Sequence, residues 1–157
     1  MDMIRISVPG TLRYRDVVLR VVASVCRLVR CDPAVQQEAG QRAHSEDFDD
    51  SVVSAVGEAF NNVALHAYGG RSAGTAELEM EIAHDTITIR LLDFGRSFDP
   101  AAETSLDLGA LHESHMGLYI IRSCVDAFSY ARGNPPQSPN VMTLKKSYFA
   151  AEIEGTG

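Results

Sequence analysis

The chain has 157 residues, 45% of them hydrophobic and 22% charged, and a formal net charge of −7. That is the size and composition of one domain with a single core, and the acidic balance argues against direct nucleic-acid binding, which relies on Lys and Arg. No apolar run reaches the roughly 20 residues of a membrane span, and Asp2 and Pro9 do not fit a secretory leader, so a cytoplasmic protein is expected.

In chain order, Met3–Val8 alternates Ile4, Ile6 and Val8 with polar neighbours and reads as a strand ended by Pro9-Gly10. Val18, Val21, Val22, Val25, Leu28 and Val29 recur at helical spacing and predict a helix over 13–29. Its arginines (Arg13, Arg15, Arg20, Arg27 and Arg30) read as a solvated face, and Cys31-Asp32-Pro33 closes it before a polar stretch to Asp47. A second helix is expected over 50–66, capped by Asp49 or Asp50, with Val52, Val53, Val56, Phe60, Val63 and Ala67 as its buried stripe. Tyr68-Gly69-Gly70 ends it.

A hairpin follows: Ala76, Leu78, Met80 and Ile82 alternate with polar residues, then Ile87, Ile89 and Leu91 after a turn near His84-Asp85. Residues 94–115 show no period and form a connection long enough to be a functional lid or a disordered loop. A third helix over 116–127 and two strands over 128–131 and 141–148 complete the pattern, and residues 150–157 read as a frayed, disordered tail. Helices grouped apart from strands predict an α+β two-layer sandwich, a mixed sheet with helices packed on one face, within a single domain over residues 1–149. Cys26, Cys31 and Cys124 form no CxxC pair and read as reduced core or near-core thiols. His44, His84 and His112 are scattered and suggest no metal site.

Three short segments carry candidate chemistry. Glu58 and Asn62, four apart, share one helix face opposite Val56 and Phe60, which puts a carboxylate beside a carboxamide. Asp93 closes an apolar strand and Gly95 follows where the chain turns; the carboxylate can accept from an exocyclic amine, and the glycine permits close backbone approach. Gly117 stands at an expected helix start, where free N–H groups suit a phosphate. Each has a plainer reading: a solvated helix face, a turn, an ordinary helix N-terminus.

Together and in this order the segments resemble the ATP-binding domain shared by gyrase, histidine kinases and mismatch-repair ATPases. More narrowly, they resemble the anti-sigma-factor serine/threonine kinases of bacterial partner-switching systems. Glu58, Asn62, His66, Ala67 and Tyr68 match E-x-x-x-N-x-x-x-H-A-Y, and Asp93, Gly95, Phe98, Asp99 and Pro100 match D-x-G-x-x-F-D-P. Gly117-Leu118 matches only the end of the family's glycine-rich box.

The resemblance implies a protein kinase that uses ATP and Mg²⁺, phosphorylates a small anti-sigma antagonist protein and binds a sigma factor; it also allows a homodimer. Glu58 would be the general base, Asn62 the Mg²⁺ ligand and Asp93 the reader of the adenine amine. Gly95 and Gly117 would approach the nucleotide, with 94–115 as the ATP lid between the third strand and the last helix. His66, Ser97, Phe98, His115, Met116 and Leu118 would line the nucleotide site, with Thr143 or Asn140 by the adenine. The chain departs from the family at Ser97, Ser114 and His115, where relatives carry glycines. Side chains there either obstruct the nucleotide or touch its phosphates. The alternative is therefore a regulatory module that holds a partner without catalysis. Histidine-kinase catalytic domains usually carry Asn where Glu58 stands, and this chain has no room for their phospho-acceptor helices.

Overall fold

The alternation over 75–93 folds as a hairpin, β2 (Thr75–Ile82) and β3 (Thr86–Asp93), at the centre of a five-stranded sheet. The computed structural model describes residues 2–39, 47–70, 74–97 and 113–150, with the backbone only at 38, 39 and 113–115. β1 (Asp2–Pro9) lies outside β2, and β5 (Asn140–Ser147) separates β3 from β4 (Ala127–Ala131), giving the order β1-β2-β3-β5-β4. Every pairing is antiparallel, which corrects the expected mixed sheet. Connections short enough to turn the chain back, as between β2 and β3 and between β4 and β5, permit only that direction.

Among the described residues four α-helices accompany the sheet: α1 (Arg15–Arg30), α2 (Pro33–Ala39), α3 (Phe48–Asn62) and α4 (Glu113–Cys124). Because side chains alternate along a strand, Leu78, Met80, Ile87, Ile89, Leu91, Met142 and Leu144 all point to one face. There they meet Val18, Val22, Val52, Val56, Phe60, Leu118 and Ile121 in one core. The other face is polar, with Arg5 near Glu79 at 3.4 Å and Arg90 on Glu81 at 3.1 Å. Arg30 at the end of α1 bonds Asp49 in the first turn of α3 at 2.7 Å, so each charge also complements its helix dipole.

Three local expectations change. α2 occupies part of the stretch read as polar connection: Asp32 caps it, its carboxylate accepting from Ala34 N–H at 2.8 Å, and Pro33 takes the first helical position. The second predicted helix begins at Phe48, and its last turn is a π-helix over Val63–Ala67, where Tyr68 N–H donates to the Val63 carbonyl at 3.1 Å. The third begins at Glu113, so Gly117 lies in its second turn and not at its start. Cys26 is buried, which pushes its thiol up to about 12, but Cys31 at the end of α1 is exposed. No described helix is long and apolar enough to cross a membrane. Phe98, Asp99, Pro100, the lid over 98–112 and the tail from 151 lie outside the described residues.

Candidate functional site

The periodicity of α3 buries Val56, Ala59 and Phe60 against the sheet and turns Glu58 and Asn62 toward α4. That face is covered, not solvated: Asn62 is 8% exposed and Glu58 is half-buried. α4 comes this close because residue 117 has no side chain. A Cβ there would stand 3.1 Å from Glu58 Oε2 and 3.8 Å from Asn62 Oδ1. The first and third motifs are thus one site. Asn62 Nδ2 is buried without a hydrogen-bond partner. Such a group is costly to leave unpaired, and its presence beside a carboxylate indicates a place for a ligand. No cluster of three or more metal-ligating side chains occurs among the described residues. Asn62 Oδ1 is a hard oxygen of the kind Mg²⁺ takes beside phosphates and water, and the Nδ2 hydrogens are donors suited to a phosphate oxygen.

The second motif is seated on the end of the same helix. Arg96 N–H donates to the Ala67 carbonyl at 2.9 Å, and a side chain at Gly95 would run into that carbonyl oxygen and lie 2.7 Å from its carbon. Phe94 N–H donates to the Tyr68 hydroxyl at 2.9 Å, and that hydroxyl donates to the Thr75 carbonyl at 2.7 Å. The close approach at Gly95 is therefore to the protein's own backbone.

Asp93 is buried and accepts on Oδ1 from Gly95 N–H and from Asn140 Nδ2, each at 3.0 Å. Burial raises its carboxyl above the usual carboxylate value, and those two hydrogen bonds pull it back in part. Asn140 is fully buried, directly opposite Asp93 in the β3–β5 register. Ser97, flagged as a departure from the family, donates its hydroxyl to Asn140 Oδ1 at 2.6 Å.

The remaining expected residues divide. Thr143 pairs with Arg90 on the opposite face of the sheet from Asp93, because it lies an odd number of residues from Asn140; of the two adenine candidates, only Asn140 is at the site. Leu118 is 4% exposed, so its side chain belongs to the core. Met116 is exposed on α4, and His66 is exposed on the π-helical turn with no hydrogen bond to either group. The side chains of Ser114 and His115 lie outside the described residues. Tyr68, matched in the first motif without a role, holds Phe94 N–H, and Asn140, one of the two adenine candidates, holds Asp93. The π-helical turn that brings Ala67 onto Gly95 leaves no mark in the apolar spacing.

Two variants test the site. Gly117→Ala should leave the melting temperature unchanged or higher, because alanine favours a helix. It should also push Glu58 aside by a few tenths of an ångström and slow any reaction that uses Glu58 by about tenfold. Asp93→Asn keeps an oxygen for Gly95 and Asn140 but presents an N–H₂ to an incoming amine, so adenine-nucleotide binding, measured by calorimetry, should be lost. A carboxyl raised on folding adds stability only while protonated, and that contribution is lost as pH rises through the raised value. The Asp93→Asn variant should therefore match or exceed the parent's melting temperature at neutral pH, with the difference closing as pH falls.

Comparison with known proteins identifies a family and relatives. The family described as "Histidine kinase-like ATPase domain" matches residues 8–145. The serine-protein kinase RsbW of Staphylococcus epidermidis is 34% identical over 127 residues, covering 74% of this chain and 78% of that protein. RsbW of Staphylococcus aureus (strain JH9) is 28% identical over 134 residues, covering 80% and 76%. The anti-sigma F factor of Clostridium beijerinckii is 32% identical over 80 residues, covering 48% and 56%. With a family match across most of its length and a relative above 30% identity, the chain belongs to the histidine kinase-like ATPase domain family.

Proposed function

We propose that this chain is a serine-protein kinase and anti-sigma factor that phosphorylates a small antagonist protein at the expense of ATP. The observation that carries the reading is the half-buried Glu58 beside Asn62, whose buried Nδ2 has no hydrogen-bond partner, both against Gly117 of α4. The RsbW and anti-sigma F factor relatives supply the substrate class. Glu58 takes the proton from the serine hydroxyl of the antagonist as the serine oxygen attacks the terminal phosphorus, whose bond to the bridging oxygen breaks and releases ADP. Asn62 would hold the Mg²⁺, which would supply positive charge to the phosphates. Asp93 accepts from the exocyclic amine of adenine, and the sigma factor binds the same protein in a cytoplasmic setting.

The alternative, a module that holds its partner without turnover, rested partly on Ser97. Its hydroxyl is spent on Asn140, so it supports the site and does not fill it. Intact Glu58 and Asn62 likewise favour catalysis.

The test is to incubate the protein with Mg²⁺, γ-labelled ATP and candidate antagonist proteins, and to look for phosphoserine. Glu58→Gln preserves shape but removes the base, so transfer should fall by about 10²–10⁴-fold with nucleotide affinity little changed. Full transfer by that variant would overturn the role of Glu58. Asn62→Ala should instead weaken nucleotide binding in Mg²⁺ and erase the difference between titrations with Mg²⁺ and with a chelator. An Mg²⁺ dependence as large as the parent's would remove Asn62 from the metal.

A further inference from the structure

Asn140 has a fully occupied amide. Its Nδ2 donates to Asp93 Oδ1 at 3.0 Å and to the Gly95 carbonyl at 3.1 Å. Its Oδ1 accepts from Gly133 N–H at 3.0 Å and from the Ser97 hydroxyl at 2.6 Å. Two backbone groups remove any choice in how this amide is turned. Gly133 N–H can only donate, so Oδ1 must face it; the Gly95 carbonyl can only accept, so Nδ2 must face that side. Asn140 is therefore obliged to donate to Asp93, and Ser97, meeting an acceptor, is obliged to donate to Asn140.

The direction of this chain of bonds decides what Asp93 offers a ligand. Two donors converge on Oδ1, while no described residue donates to Oδ2. The first oxygen is engaged by the protein, and among the described residues the second is left as an acceptor. Donation also favours the ionised carboxylate, opposing the burial that raises its carboxyl above the usual value. A protonated Asp93 would present a donor, which suits a carbonyl on the purine ring as well as an ionised one suits an amine.

We propose that Asn140, buttressed by Ser97, is a positioning residue that sets purine selectivity: it keeps Asp93 an acceptor, so that the site takes a 6-amino purine and refuses a 6-oxo one. Asn140 acts through Asp93 and does not touch the base. The inference rests on the nucleotide-binding reading above. It gives Ser97, a departure from the motif that the chain resembles, a use within the site.

The experiment titrates the full-length protein in Mg²⁺ with ribose-labelled fluorescent ADP and GDP and compares the ratio of the two dissociation constants. A ratio is unaffected by the fraction of protein that is folded, so a merely structural role would not move it. Asn140→Asp keeps the acceptor for Gly133 and Ser97 but replaces the donor to Asp93 with a second carboxylate. The preference for ADP should fall by at least about tenfold. Ser97→Ala removes one bond and leaves Gly133 to hold the amide, so the preference should fall by about two- to threefold.

An unchanged ratio in Asn140→Asp overturns the proposal, even if the melting temperature drops. If that variant does not fold, an unchanged ratio in Ser97→Ala does the same. Failure of the parent to bind either nucleotide would instead remove the reading on which the inference rests, and the inference with it.

Discussion

The site depends on one contact between backbones: the end of β3 lies directly on the end of α3, with Arg96 N–H on the Ala67 carbonyl at 2.9 Å and no side chain at residue 95 to hold them apart. This contact ties the strand that carries Asp93 to the helix that carries Glu58 and Asn62. A strand and a helix packed through side chains alone can slide by fractions of an ångström as those side chains repack. A backbone hydrogen bond at a close approach fixes both spacing and register. The π-helical turn over 63–67 shares in this, because it sets where the Ala67 carbonyl emerges.

Much of the fold was legible because burial imposes its period on the sequence. The strict alternation of Leu78, Met80, Ile87, Ile89 and Leu91 left little freedom in the central hairpin, and the valines of α1 and α3 marked their buried stripes. What escaped was set by single hydrogen bonds, not by periodicity. Asp32 before Pro33 is a helix-start signal, yet the apolar spacing after it is too short to declare α2. Strand order and direction come from pairing partners distant in sequence, so the choice of Asn140 over Thr143 as the partner of Asp93, 47 residues away, follows only from the register of β3 and β5. The resemblance brought Glu58, Asn62, Asp93 and Gly117 forward, but not the reason for each. Gly117 faces Glu58, and Gly95 faces Ala67.

The polar cluster around Asn140 is a commitment to one geometry. Each internal hydrogen bond contributes only about 1 kcal/mol net, whereas a buried donor or acceptor left unpaired costs about 1–3 kcal/mol. A cluster with every valence filled therefore adds modest stability when intact and penalises each partial arrangement heavily. That asymmetry suits a carboxylate whose two oxygens must serve different purposes.

Tyr68 extends the same logic beyond the site. Its ring lies between Gly10 and Gly74: a Cβ on Gly10 would fall 2.5 Å from the ring, and one on Gly74 would overlap it. The Gly10 N–H in turn bonds the Gly74 carbonyl at 2.8 Å, closing a slot the width of one aromatic ring. Positions 10, 68 and 74 are thus not free to vary one at a time in descendants of this sequence. A side chain gained at either glycine requires a smaller residue at 68, which would leave the Phe94 N–H without its hydroxyl. An aromatic residue at 68 is then inherited together with bare backbone on both sides of it, from two stretches of chain far apart in sequence that touch at one ring.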